Sequence, residues 1–139
     1  MKRRILFICS GNSARSLIAE ALLRHYGGEF FEVVSAGTDP TPVDVRAIRA
    51  LQRFGIPIKG LYSKSLQEVS DQDFDLVITL CNKSHREYVP DAGHGKLISW
   101  DFEDPASRHC FRPFYTTVLE LSTRIKLFVL VYTKAAKAA

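Results

Sequence analysis

"ILFICSGNSARS", Ile5 to Ser16, is the stretch that decides the fold. Its apolar, β-branched and aromatic opening predicts a buried strand over Ile5 to Cys9. Ser16 to Tyr26 predicts a helix, with Leu17, Ala21 and Leu22 on one face and Gly27 and Gly28 as its stop. Between them, Cys9 is followed six positions later by Arg15, with small or polar residues separating the two. Consecutive amides in such a turn can point inward together, and the helix adds its positive end, so the loop is a cradle for an anion. Gly11 lets the backbone turn, while Ser10, Ser13 and Ala14 leave the cavity open. Arg15 brings a planar fork matched to two oxygens of a tetrahedral oxyanion. The same donors favour thiolate over thiol at Cys9, and Ser16 is placed to donate its hydroxyl to that sulfur. A cysteine closing a strand is ordinarily inert packing, and C-x5-R alone is a weak pattern. Its place between an apolar strand and a helix is what gives it weight. The loop has neither the Gly-Lys-Ser/Thr of a nucleotide-binding loop nor a G-x-G-x-x-G.

Outward from this loop, strand-like and helix-like segments alternate. "FEVVSAG", Phe31 to Gly37, reads as a second strand, and "DPTPV" as a turn ahead of a helix from about Val43 to Phe54, with Ala47, Leu51 and Phe54 at helical spacing. A short polar helix is expected near Leu66 to Ser70. "FDLVITL", Phe74 to Leu80, is a strand, "KLISW" a fourth, and Phe114 to about Tyr132 a terminal helix whose "VLVYT" end is poor helix material. This order predicts a single α/β domain over residues 1–139, its parallel sheet covered by helices on both faces. Ligands in such sheets gather beyond the carboxyl ends of the strands, where the Cys9 loop falls.

Composition is that of an ordinary globular protein: 139 residues, 46% hydrophobic and 24% charged. The most apolar tract, "IKLFVLVY", carries Lys126 and is too short to cross a bilayer. No signal peptide is read at the N-terminus, so a cytoplasmic protein without membrane attachment is expected. A formal charge of +4, without a basic cluster interleaved with aromatics, suits a small anionic substrate and argues against nucleic acid. Three cysteines, 72 and 29 residues apart, make neither a disulfide framework nor a zinc pair. The histidines His25, His85, His94 and His109 lack metal-ligand spacing.

A nucleophile that attacks an oxyanion needs a proton donor for the departing oxygen. "WDFEDPAS", Trp100 to Ser107, places three carboxylates after the fourth strand, on the edge of the sheet that carries Cys9. Asp104, held extended ahead of Pro105, is the candidate general acid. Read alone, Asp-Pro starts a turn. Trp100 and Phe102 are either walls of a pocket or core.

Together "ILFI" and "CSGNSARS", then "SAGT", "AIRALQRFGI", "SKSL", "DLVITLC" and "WDFEDPA", in that order from Ile5 to about Leu127, resemble the low-molecular-weight protein tyrosine phosphatase superfamily, specifically its arsenate reductase branch. The resemblance implies a four-stranded parallel sheet flanked by helices. It implies Cys9 as nucleophile, Arg15 as oxyanion clamp, Ser16 as the thiolate's hydrogen-bond partner, Asn12 as a loop-shaping residue and Asp104 as acid. It further implies Ser10 to Arg15 as the substrate-binding loop. In the reductases, the position of Cys81 carries a resolving cysteine that displaces arsenite and leaves a Cys9–Cys81 disulfide. The phosphatases normally lack it. Read without the resemblance, Cys81 is an inert residue closing a buried strand. The implied activity is arsenate reduction, with tyrosine phosphatase as the alternative and an idle oxyanion-binding regulatory domain as a third reading. Arsenate is the implied substrate, with phosphate or sulfate as mimics. No bound cofactor and a monomer are expected.

Two departures from that pattern matter. The thioredoxin-coupled reductases carry a third cysteine seven positions beyond the resolving one, and here that position is Tyr88. Either Cys110 substitutes for it or glutathione and glutaredoxin resolve the disulfide directly; the second is the preferred expectation, and Cys110 reads more simply as a loop cysteine. Some reductases also bind potassium through residues matching Asn12, Glu20 and Ser35 and an acidic residue that aligns with Lys64. A lysine cannot ligate a cation, so no potassium is expected: either its ammonium takes that place and holds Asn12 and Glu20, or Lys64 is a solvated surface residue.

Overall fold

The computed structural model describes residues 2–87, 95–110 and 112–138. Tyr88 and His94 lie outside the described residues.

Four short strands, β1 (Arg3–Cys9), β2 (Phe31–Gly37), β3 (Leu76–Thr79) and β4 (Lys96–Ser99), form one parallel sheet in the order β2-β1-β3-β4. Their continuous apolar runs are what a parallel sheet buried on both faces requires. Side chains of β1 alternate between two apolar clusters. Ile5, Phe7 and Cys9 belong to the larger, with residues of α1 (Arg15–Gly27), α2 (Val45–Arg53) and α4 (Pro113–Ala138). Leu6 and Ile8 join Val77, Phe74 and Val69 in the smaller, under the 3-10 turn Leu66–Val69. A short helix, α3 (Asn82–Glu87), closes that second face at its carboxyl end, where Thr79 Oγ1 and His85 Nδ1 are 2.9 Å apart.

The expected architecture holds, with two differences. Helix α3 was not anticipated. Helix α4 runs through "VLVYT" to Ala138, because Ile125 and Phe128 are buried along its inner face and Phe128 packs on Phe31, Trp100 and Tyr132. Packing on the sheet outweighs the weak helix propensity of β-branched residues. Trp100 is core rather than pocket wall, 5% exposed and against Phe7 as well.

Register places the chemistry. Ile8 pairs with Thr79, and Leu80 N–H donates to Ile8 O at 2.8 Å, so the ends of β1 and β3 leave the sheet side by side. The loops carrying Cys9 and Cys81 begin there.

Candidate active site

The Cys9 loop is held from outside by its carbonyls. Those of Cys9, Ser10, Gly11 and Ser13 accept from the amides of Thr38, Asp39, Thr41 and Asp44, at 3.3, 2.8, 2.9 and 2.9 Å. With the carbonyls turned to this outer segment, the loop amides face the other way. Helix α1 begins there with Ala14 as an N-cap that offers no side-chain hydrogen bond, so its first amides are left for a ligand. Asn12 adopts φ 47°, a left-handed conformation in which asparagine is tolerated. Gly37 lies against the loop's outer side, where an added Cβ would meet Ser10 O at 2.8 Å and Asn12 N at 3.0 Å.

Cys9 is 2% exposed, and its Sγ lies 2.9 Å from the Ser16 hydroxyl. Behind that pair stands a buried polar chain. Asn12 Nδ2 donates to Ser16 Oγ at 2.7 Å and to Ser35 Oγ at 2.9 Å, and Ser35 Oγ donates to Glu20 Oε1 at 2.6 Å. Glu20 is 1% exposed and pairs with Arg24 through Oε2 at 2.6 Å. Lys64 is 6% exposed, so it is no surface lysine. Its ammonium lies 3.7 Å from Glu20 Oε1 and donates to Tyr62 O at 3.0 Å, while its backbone amide, rather than its ammonium, holds Asn12 Oδ1 at 2.9 Å. A potassium ion does not fit this donor set: Asn12 presents N–H groups to the site, its carbonyl oxygen is already taken, and a cationic side chain fills the place beside Glu20.

Arg15, half-buried, donates from Nη1 to Phe102 O at 2.9 Å, which ties the clamp to the loop that follows β4. Phe102 thus contributes a carbonyl. Asp104 is exposed in the same loop, and its Oδ1 accepts from Ala106 N–H at 3.0 Å as the N-cap of the 3-10 turn Pro105–Ser107. Its turn-forming role is therefore real, and the structure shows no hydrogen bond from Asp104 to Cys9 or Arg15.

Cys81 occupies the position before α3 and is 7% exposed. Its sulfur lies 3.5 Å from the Ser10 hydroxyl, donates to Ser84 Oγ at 3.1 Å and accepts from Ser84 N–H at 3.4 Å. Burial pushes this thiol up, but the hydrogen bonds of the Ser84 hydroxyl, the Ser10 hydroxyl and the Ser84 amide, with the Arg15 charge, outweigh it and leave the pKa below the usual 9.0. Cys110 is exposed in the loop before α4. No cluster of metal-ligating side chains occurs among the described residues. Ser84, which sequence reasoning missed, orients Cys81; its signal was its place three residues after a cysteine at the start of an unrecognised helix.

Comparison with known proteins agrees with this geometry. The model of the low molecular weight phosphotyrosine protein phosphatase family matches residues 4–123. An arsenate reductase of Brevibacillus brevis is 35% identical over 131 residues, covering 91% of this chain and 94% of that protein. Among solved structures, a thioredoxin-dependent arsenate reductase of Corynebacterium glutamicum superposes with a TM-score of 0.79 at 27% identity, over 96% of this chain and 63% of the longer relative. An arsenate reductase in the phosphate binding state gives 0.75 at 25% identity, over 92% and 97%. A loop of inward amides between a central parallel strand and a helix, with a cysteine and an arginine at its two ends, thus places the chain in the low molecular weight phosphotyrosine protein phosphatase family.

Proposed function

We propose that this protein reduces arsenate to arsenite. The observation that carries the reading is the second thiol at the loop, Cys81, with its sulfur 3.5 Å from the hydroxyl of the residue following Cys9. Phosphoryl transfer needs a nucleophile, a clamp and an acid; reduction of As(V) needs two electrons as well, and a neighbouring thiol supplies them when a disulfide forms.

In this mechanism arsenate seats on the loop amides from Ser10 to Arg15 and on the Arg15 guanidinium. The Cys9 sulfur attacks arsenic, an S–As bond forms, and one oxygen departs as water with a proton from Asp104. Cys81 then attacks the Cys9 sulfur. The S–S bond forms, the S–As bond breaks, and its electron pair stays on arsenic, which leaves as arsenite. An external thiol system returns the disulfide to two thiols. Thioredoxin serves the Corynebacterium relative by its description. For this chain we assign glutathione and glutaredoxin, because Tyr88 stands where the three-cysteine relay has its last thiol.

The experiment is a comparison of two activities in Cys81→Ser. Loss of arsenate reduction with aryl phosphate hydrolysis retained supports the reductase. Full reduction without Cys81, or no arsenate turnover by the intact protein with either thiol system, rejects it and leaves the phosphatase reading, which uses Cys9, Arg15 and Asp104 alone.

A further inference from the structure

Lys64 and Glu20 form a buried ion pair whose placement neutralisation does not explain. Burying two charges is unfavourable unless each is well partnered. Glu20 already has Arg24 on Oε2 at 2.6 Å, and Arg24 also donates to Val33 O at 3.0 Å. Lys64 goes instead to Oε1, the oxygen that accepts from Ser35. Its ammonium is fixed there by the Tyr62 carbonyl at 3.0 Å and by the Tyr62 ring, whose centroid is 4.3 Å away.

From that oxygen the direction of every hydrogen bond follows. A carboxylate oxygen accepts, so the Ser35 hydroxyl donates to it and its own oxygen must accept from Asn12. The Lys64 backbone amide fixes Asn12 with Oδ1 toward itself, so Nδ2 faces the serines. The second Nδ2 hydrogen goes to Ser16 Oγ, which leaves the Ser16 proton for the Cys9 sulfur 2.9 Å away. Polarity therefore runs one way, from Glu20 to a hydroxyl hydrogen aimed at Cys9.

We infer that Lys64 is a positioning residue for the Cys9 nucleophile: through Glu20, Ser35, Asn12 and Ser16 it sets the orientation of the hydrogen bond that the Ser16 hydroxyl makes to the sulfur. The ammonium holds the accepting end of the relay and the backbone amide holds its middle. The charged groups facing it are Glu20 and Arg24 of α1 and Glu68 of the 3-10 turn; Arg15 and the Cys81 thiol face the loop at the other end. The inference rests on Cys9 being the reactive thiol, as the proposed function requires.

The test is peptide-mapped alkylation by iodoacetamide across pH, with exposed Cys110 as the internal reference. In Lys64→Met, Cys9 alkylation at neutral pH falls about tenfold and its pH profile moves to higher pH, the direction expected when one hydrogen bond to a charged group is redirected. Lys64→Arg recovers most of the rate, and Lys134→Met, on the exposed face of α4, leaves it unchanged. Ser16→Ala slows the reaction too, and adding Lys64→Met to it slows it less than about twofold further, because residues acting in one network are not additive. Lys64→Gln, which keeps a donor for the Tyr62 carbonyl without the charge, carries the same expectation should the methionine variant misfold. A folded Lys64→Met or Lys64→Gln protein with the parental profile, or independent effects of Lys64 and Ser16, overturns the inference while leaving the nucleophile assignment standing. A parent in which Cys9 reacts no faster than Cys110 overturns both.

Discussion

The sulfur of Cys81 stands 3.5 Å from the hydroxyl of Ser10, across the seam where β1 and β3 leave the sheet. Parallel register creates that relationship: the last pairing of the two strands, Ile8 with Thr79, lies two residues before each side of the contact. Neither loop reaches for the other. Ser10 and Cys81, 71 positions apart in the chain, become neighbours because the two strands carry them to the same edge of the sheet.

Ser84 is the residue whose loss separates the two thiols' roles. Its hydroxyl and amide both meet the Cys81 sulfur, and they help hold that thiol's pKa below 9.0. Ser84→Ala removes the hydroxyl, raises the Cys81 pKa and slows disulfide formation about three- to tenfold at neutral pH, on the scale of one ordinary hydrogen bond. Steady-state assays should show kcat for arsenate falling with KM little changed, and aryl phosphate hydrolysis unaffected.

Gly37→Ala tests whether the loop depends on the segment behind it. The added methyl meets the Ser10 carbonyl at 2.8 Å and the Asn12 amide at 3.0 Å, backbone atoms that cannot move aside alone. Overpacking of this kind costs roughly 1–3 kcal/mol. Thermal unfolding should show a lowered Tm, and the stabilisation that phosphate confers on the parent should shrink with it, since the displaced atoms belong to the cradle.

Lys64 makes stability depend on alkaline pH in a definite direction. Burial pushes its pKa below 10.5, and the Glu20 carboxylate offsets this in part. Between that lowered value and 10.5 the unfolded chain holds a proton that the folded one has lost, so unfolding free energy rises with pH through this window. Urea titrations from neutral pH to 10.5 should show the parent gaining on Lys64→Met as pH rises. A parent that loses ground over the same range would contradict the buried-cation assignment.

The loop and all four strands were legible because their signals are local. An apolar run followed by small residues and an arginine states both a strand and a cradle, and "FEVVSAG" spans β2 end to end. What stayed hidden depends on contacts distant in sequence. Helix α3 is six residues of "NKSHRE", too short and too polar to show a period. Its cap is a cysteine, outside the usual capping set. Lys64 sits in "YSKSL", where nothing marks a buried cation; its burial follows from a parallel bridge between Gly37 and Ser65 that draws the segment under the loop. Asp104 shows the limit from the other side. Asp-Pro correctly gave a turn, and the carboxyl oxygen that caps it is seen on Ala106, whereas its part as an acid is a matter for kinetics.

The most direct measurement is a single turnover of the reduced protein with arsenate and no external thiol, quenched by alkylation and mapped by mass spectrometry. The account predicts a Cys9–Cys81 disulfide formed in step with one equivalent of arsenite, with Cys110 alkylated throughout. Arsenite released while Cys81 remains alkylated, or a disulfide that joins Cys9 to Cys110 instead, would contradict it.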